Sequence, residues 1–141
     1  MTNASVPSAA THPHRLHIAL WLAQCALAMF YAGTGFMTAT QPIGELAAMM
    51  QWPDVVPVAL VRFIGVAELA GALGLILPSL LRIASRLTPL AATGLVLIQL
   101  LAIPFHLSRG EVGVVPLNLV LLALAAFVVW GRWRKMQILK R

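Results

Sequence analysis

Long apolar runs separated by short charged segments dominate the chain. Between Arg15 and Glu45, for example, there is no Lys, Arg, Asp or Glu. Four such runs occur, at about 17–37, 55–80, 87–108 and 112–131. Each is near or above the ~20 residues that an α-helix needs to cross ~30 Å of hydrocarbon. Because lipid offers the backbone no hydrogen-bond partners, the pattern predicts four membrane-spanning helices.

The connections between the runs carry helix signals of their own. Thr88 followed by Pro89 is typical of a helix N-cap with proline at the first helical position. Pro104 lies late in the third run and should kink or end that helix just before His106. The longest connection, 38–54, has apolar residues at roughly helical spacing and ends in a Trp, which favours a short helix lying in the membrane interface. The alternative is that the first span ends later.

Composition supports a membrane protein. Of the 141 residues, 60% are hydrophobic and 10% are charged, whereas soluble domains are roughly 45–50% apolar and about 25% charged. An ordinary soluble domain is therefore excluded, since a chain of this size cannot bury so much apolar surface. We predict an all-α fold: an integral membrane four-helix bundle, with a short interfacial helix between the first two spans. Along the chain we expect three parts: a polar N-terminal tail (1–16), the four-helix membrane domain (17–131) and a basic cytoplasmic tail (132–141).

The net charge of +6 is explained by anchoring rather than by nucleic acid binding. Five basic residues directly follow the last apolar run, the pattern of a cytoplasmic juxtamembrane anchor: Arg132, Arg134, Lys135, Lys140 and Arg141. Of the nine Lys and Arg residues outside the runs, only Arg109 falls on the opposite side. We therefore expect a multi-pass protein of the cell membrane with both termini in the cytoplasm. Its expected partners are the lipid bilayer, other membrane or redox proteins and a further copy of itself, with no nucleic acid.

Five polar residues inside the runs are the candidate site. They are Arg62, Glu68, Gln99, His106 and Asn118. Ionisable residues in a membrane are expensive and mark functional sites by default. Glu68, Gln99 and Asn118 fall at similar depth on three helices, with Arg62 and His106 nearer the outer surface, which predicts one polar pocket in the outer half. Two alternatives are open: the polar residues can serve as interhelical hydrogen-bond glue, and Arg62 can extend to the surface instead of bonding another helix.

Several chemistries find no support in the sequence. The single cysteine, Cys25, cannot form an internal disulfide or a Cys-ligated cluster. Paired haem ligands are not expected, because His106 is near the outer side whereas His12, His14 and His17 are near the other. Neither HExxH nor ExxH occurs, so no metal site is predicted. No cofactor is evident from motifs.

Four segments resemble the DoxX-like family of small four-span bacterial membrane proteins. They are FYAGTGFM (30–37), RFIGVAELAGALGLILP (62–78), PFHLSRGE (104–111) and AAFVVWGRWR (125–134). The resemblance covers about 17–134 and includes a Gly-x-x-Glu-x-x-Gly core formed by Gly65, Glu68 and Gly71. It implies a link to membrane oxidoreductase systems that use quinones, thiosulfate or thiols.

Three functions are therefore weighed. The first is an accessory or quinone-linked subunit of a membrane redox system, with a quinone-like headgroup near Glu68 and His106. The second is a non-catalytic scaffold or small-solute carrier. The third is an enzyme on a lipophilic substrate, with Glu68 and His106 as an acid–base pair. Whether the chain is an enzyme is left open, and no catalytic residue is assigned.

Overall fold

A computed structural model describes residues 12–84 and 86–135, and every regular element within them is helical. Four of the helices are long and apolar enough to cross a membrane. The predicted all-α, four-span fold is confirmed. The helices are α1 (His12–Thr40), α2 (Ile43–Met50), α3 (Val58–Leu81), α4 (Leu87–Ser108) and α5 (Val115–Trp130). A 3₁₀ turn, Val112–Val114, leads into α5, and a π-helical turn, Gly131–Lys135, continues it.

The first span is longer than the sequence predicted. Helix α1 begins at His12 rather than near His17, and it continues to Thr40. It therefore takes in residues 12–16 of the predicted polar tail, because a helix satisfies its own backbone on either side of the membrane boundary. The rest of that tail, 1–11, and the end of the basic tail, 136–141, lie outside the described residues.

The predicted N-cap at Thr88 is wrong, and of the two effects predicted for Pro104, a kink or a helix end, the structure excludes the end. Helix α4 begins at Leu87, so Thr88 is already helical, and its hydroxyl lies 2.9 Å from Ser79 Oγ instead of capping the helix. Pro104 does not end α4, which continues through His106 to Ser108. A proline removes one backbone hydrogen bond, and within a membrane bundle neighbouring groups can compensate for that loss.

The connection between the first two spans contains the predicted short helix. Helix α2 follows Pro42 and ends where Gln51 adopts the left-handed conformation that commonly terminates helices. Its Leu46 is fully buried, whereas Met49 on the same helix is 55% exposed. Helix α2 is thus anchored to the bundle on one face. Its location in the membrane interface stays a prediction.

The four long helices pack in a ring in the order α1, α3, α4, α5 and back to α1. Their shared core is formed by buried apolar side chains from all four: Leu27, Tyr31, Leu75, Leu95, Leu121 and Val128. Many other large apolar side chains are exposed on the outside of the ring, as expected where lipid is the solvent. We call the end of the ring that carries α2 the α2 end, and the opposite end the terminal end.

Candidate ligand cavity

Helix α1 presents a line of polar side chains to the other helices. Gln24, Tyr31, Thr34 and Thr38 recur at spacings of seven, three and four residues, which places them on one face. Gln24, Tyr31 and Thr38 are almost completely buried. Tyr31, Thr34 and Thr38 were not among the predicted site residues, although this spacing was the signal that could have found them.

Glu68 faces this line and bonds to Thr34. Thr34 Oγ1 lies 3.1 Å from Glu68 Oε2 and 3.2 Å from the Phe30 carbonyl oxygen, and its hydrogen can be donated to either. A hydroxyl has one hydrogen to donate but can also accept. Thr34 can therefore donate to an ionised Glu68, or accept from a protonated Glu68 while donating to Phe30. Either protonation state of the carboxyl keeps a hydrogen bond.

Gln99 and Asn118 each carry one polar atom without a partner. Gln99 Nε2 donates to the Tyr31 hydroxyl at 2.7 Å. Within the described part of the chain, Gln99 Oε1 and Asn118 Nδ2 are buried and unpaired. An unpaired buried polar atom costs about 1–3 kcal/mol. A polar atom brought to this wall by a bound molecule would relieve that cost.

Arg62 bonds a neighbouring helix. Its Nη1 donates to the Thr38 carbonyl oxygen on α1 at 2.8 Å. Of the two alternatives left open by the sequence, the structure therefore shows the interhelical partner. Thr38 Oγ1 in turn donates to the Thr34 carbonyl oxygen, one turn earlier on α1, at 2.7 Å. The Arg62 hydrogen bond therefore joins the last turns of α1 to α3.

At the α2 end, His106 pairs with Glu111. The distance from His106 Nδ1 to Glu111 Oε2 is 2.6 Å, and Arg109 Nε donates to Glu111 Oε1 at 2.7 Å. These hydrogen bonds, first from His106 and then from Arg109, lower the pKa of Glu111 below its ordinary value. Arg109 Nη2 also donates to the Gln51 carbonyl oxygen at 3.2 Å. The segment after α4 is thereby joined to the segment after α2.

Several of these residues line one cavity of about 750 Å³ in the α2 half of the ring. All five helices contribute to its wall, which is mostly apolar. Ligand sites of drug-sized molecules measure roughly 300–1,000 Å³ and have the same character, apolar walls with a few polar groups. Of the five candidate site residues, Glu68, Gln99, His106 and Asn118 line the cavity, and Arg62 does not. Thr34 and Glu111 line it as well.

A second polar cluster lies near the terminal end, away from the cavity. Arg132 Nε donates to Gln24 Oε1 at 2.6 Å, and Gln24 Nε2 donates to Ser79 Oγ at 3.1 Å. Arg132 is only 3% exposed and lies over the Trp21 ring. The sequence grouped Arg132 with the basic tail, whereas the structure buries its side chain against α1. The π-helical turn continues α5 past Gly131 and carries Arg132 back against α1.

The chemistry of the site follows from these partners. The hydrogen bonds of the described residues join Glu68 to Thr34 and His106 to Glu111, and none joins Glu68 to His106. The acid–base pair therefore lacks the direct contact that catalytic partners make. No group of three His, Cys, Asp or Glu side chains suited to a metal ion occurs in residues 12–84 and 86–135.

Fold and cavity together define the class. This is a small multi-pass helical membrane protein whose bundle contains a largely apolar cavity lined by two glutamates, three amide residues and a histidine. The chain belongs to the DoxX-like family, whose family model matches residues 22–128. Neither a curated protein nor a solved structure matches the chain.

Proposed function

We propose that this protein is a quinone-linked accessory subunit of a membrane redox system, and that its cavity binds the quinone headgroup. The observation that carries the proposal is the cavity itself, about 750 Å³ and mostly apolar, with Glu68, Gln99, His106 and Asn118 in its wall. A quinone ring is apolar on its faces and has polar oxygens at its edge. An apolar cavity with a few polar groups is the kind of site that recognises such a molecule.

The two unpaired polar atoms suit different redox states of the ring, a donor for an oxygen of the quinone and an acceptor for a hydroxyl of the quinol. Asn118 Nδ2 can donate to a carbonyl oxygen, and Gln99 Oε1 can accept from a hydroxyl. Glu68 and Thr34 provide a carboxyl that is hydrogen-bonded in either protonation state. When bound, a quinone supplies reversible two-electron, two-proton chemistry. The residues named here orient the ring and hold a proton beside it.

The other two functions have less support. A scaffold without chemistry needs no cavity, so about 750 Å³ beside an intramembrane carboxyl argues against a purely structural role. A small-solute carrier could use the same cavity, and ligand screening would distinguish it from quinone binding. An acid–base enzyme needs Glu68 and His106 to act on one substrate, whereas each has its own partner.

Location and partners are part of the proposal. The bulk of the basic residues outside the spans falls at the terminal end, which by the positive-inside rule favours the cytoplasmic side of the cell membrane for both termini. A C-terminal reporter active only in the cytoplasm tests this. As an accessory subunit, the protein should copurify in mild detergent with other membrane or redox proteins, and self-association would appear in the same experiment.

Quinone binding is tested with the purified protein in detergent. A short-tailed benzoquinone should quench Trp fluorescence saturably, because Trp52 lines the cavity, and should raise the unfolding temperature. Asn118→Leu should weaken binding of the quinone by about tenfold, and Gln99→Leu should weaken binding of the corresponding quinol by the same factor, which is the worth of one hydrogen bond to a buried group. The matched control is Thr93→Val, on α4 but outside the cavity, where the hydroxyl bonds only its own helix.

Two results would count against quinone binding. The first is quenching that grows without saturation and is unchanged in the cavity variants, which indicates partition into the detergent. The second is an unfolding temperature that quinone does not move in the wild type or in Glu68→Gln. In either case the carrier hypothesis becomes the next to test.

A further inference from the structure

Helices α3 and α4 are packed tightly in the half of the ring nearest the terminal end. A Cβ on Gly71 would lie 2.7 Å from Leu95 Cδ2, and one on Gly74 would lie 2.7 Å from Ala91 Cβ. Both distances are shorter than ordinary van der Waals contact. Glycine at these positions therefore lets the two helices touch.

The same two helix faces separate in the α2 half. Continuing along each helix in steps of three and four residues keeps to one face. On α3 this face carries Ala67, Ile64 and Leu60, and on α4 it carries Ile98, Ala102 and Phe105. All six line the cavity. We call this interface between α3 and α4 the seam. It is closed at Gly71, and one to three turns nearer the α2 end the cavity occupies it.

Helix α3 is held to α1 at this level instead. A Cβ on Gly65 would lie 2.5 Å from the Ala39 backbone nitrogen and 2.9 Å from the Gly35 carbonyl oxygen. The Arg62 hydrogen bond to the Thr38 carbonyl oxygen adds to this contact. Helix α3 also contacts α1 in the terminal half, where Gln24 bonds Ser79. Since α3 stays against α1 along its length, the gap toward the α2 end lies between α3 and α4.

The seam opens toward lipid. Phe63 and Leu101 both line the cavity and are 68% and 73% exposed. Their helical positions place them on the same outward side of the seam, whereas Glu68 and Gln99 lie on its inward side. We call the gap flanked by Phe63 and Leu101, with Ala67 and Ala102 between them, the α3–α4 opening. It connects the polar inner wall with the surface that faces the acyl chains.

Protein segments cross the α2 end of the cavity. Gln51 and Trp52 line it from the segment after α2, and Glu111 lines it from the segment after α4. The hydrogen bond from Arg109 to the Gln51 carbonyl oxygen ties these two segments together. The route through the α3–α4 opening involves apolar side chains alone, which suits an apolar molecule.

The cavity wall also selects the charge of the headgroup. Among the described residues that line it there are two acidic side chains, Glu68 and Glu111, and no Lys or Arg. An anionic headgroup such as a phosphate would face Glu68 and Glu111 with no Lys or Arg among the described wall residues to bind it. A neutral headgroup meets no such cost.

We propose that the ligand has a neutral ring headgroup and a long hydrocarbon tail, and that it enters sideways from the bilayer and leaves its tail in the α3–α4 opening. This inference rests on the proposed function and adds the tail and the route. In a bilayer the tail gains little by moving from lipid to an apolar groove, since both are equally apolar. The opening therefore permits a tail rather than adding affinity through it.

The test compares two probes in lipid nanodiscs, with quinone concentration expressed as a mole fraction of lipid. One probe is a benzoquinone with a long isoprenoid tail, and the other is the same ring with a methyl group in place of the tail. Ala102→Phe places a ring in the α3–α4 opening. Leu73→Phe is the matched control, because Leu73 is 57% exposed on α3 and lies outside the cavity.

The wild type and Leu73→Phe should bind both probes with similar affinity. Ala102→Phe should lose at least about tenfold in affinity for the tailed probe and keep its affinity for the methyl probe, because the added ring overpacks only the path of the tail. Should Ala102→Phe fail to fold, Ala102→Leu serves the same purpose.

Each remaining outcome overturns a stated idea. If the wild type binds the methyl probe but excludes the tailed one, the cavity is closed to lipid and this inference fails while quinone binding stands. Equal losses for both probes in Ala102→Phe, or no loss for either, also overturn the route. If the wild type binds neither probe, the proposed function fails and the inference fails with it.

Discussion

Replacing Gly65 with alanine should separate α1 from α3. The added Cβ would lie 2.5 Å from the Ala39 nitrogen and 2.9 Å from the Gly35 carbonyl oxygen, both of them backbone atoms that no rotamer change can move. Gly94, in the middle of α4, is the matched control, because a Cβ there would have no neighbour within 4 Å. Both changes add one methyl group to a membrane-spanning helix.

The magnitude follows from the distance. Ordinary contact needs about 3.5 Å, so α1 must withdraw by about 1 Å, and a gap of that size forfeits roughly a quarter to a half of the dispersion energy of each contact across the seam. Overpacking of this kind costs roughly 1–3 kcal/mol. Alanine in place of glycine within a helix is worth roughly 0.5–1 kcal/mol in the opposite direction. Gly65→Ala should therefore destabilise the fold, and Gly94→Ala should be neutral or stabilising.

The assay is reversible unfolding in mixed micelles, with the free energy of unfolding obtained for wild type and both variants. We expect the two variants to differ by about 2 kcal/mol, with Gly65→Ala the less stable. Equal stabilities, or a more stable Gly65→Ala, would refute the close approach of α1 and α3. The location of Glu68 against Thr34 would then need revision, since that contact crosses the same seam.

Three further predictions concern other contacts. Arg132→Leu should lower the free energy of unfolding by about 1.5–3 kcal/mol. Because Arg132 and Gln24 bond each other, the double variant Arg132→Leu with Gln24→Leu should lose less than the sum of the two single variants, as measured in a double-mutant cycle. Tyr31→Phe should cost about 1–3 kcal/mol by unpairing Gln99 Nε2, measured by the same unfolding assay, and Tyr31→Phe with Gln99→Leu should recover part of it. Hydrogen bonds from His106 and Arg109 lower the pKa of Glu111 in the folded protein. The ionised carboxylate therefore stabilises the fold at any pH above the pKa of Glu111 in the unfolded chain. This contribution is lost as the pH falls through the lower pKa of the folded protein. Stability measured down to about pH 3 should therefore decline less steeply in Glu111→Gln, and an unchanged acid limb would contradict the pairing.

Much of the candidate site could be predicted from single residues. Glu68, Gln99, His106 and Asn118 were singled out because each is polar within an apolar run, and all four line the cavity. Tyr31 and Thr34 were missed, because a tyrosine or a threonine in a membrane helix is unremarkable by itself. Their importance comes from the residues they face, Gln99 and Glu68, which are 68 and 34 positions away in the chain.

Arg132 is a charged residue whose burial the sequence did not predict. By charge it is one of five basic residues after the last span, and the sequence treated the five alike. Its burial depends on the π-helical turn after α5 and on Gln24 in α1, which accepts its hydrogen bond. A run of like charges does not distinguish the member that turns inward.

By itself the sequence determined that the bilayer is the solvent, how many spans there are and roughly where along the chain each one lies. The lengths of the apolar runs and the charges between them are enough for that, because the cost of placing a charge or an unpaired backbone group in hydrocarbon exceeds local preferences. Only the tertiary structure decided which helix faces meet, where α3 and α4 diverge, and hence that a cavity lies beside Glu68. Lipid is as apolar as the protein core, so these helices are apolar all round, and no hydrophobic pattern tells an inward face from an outward one.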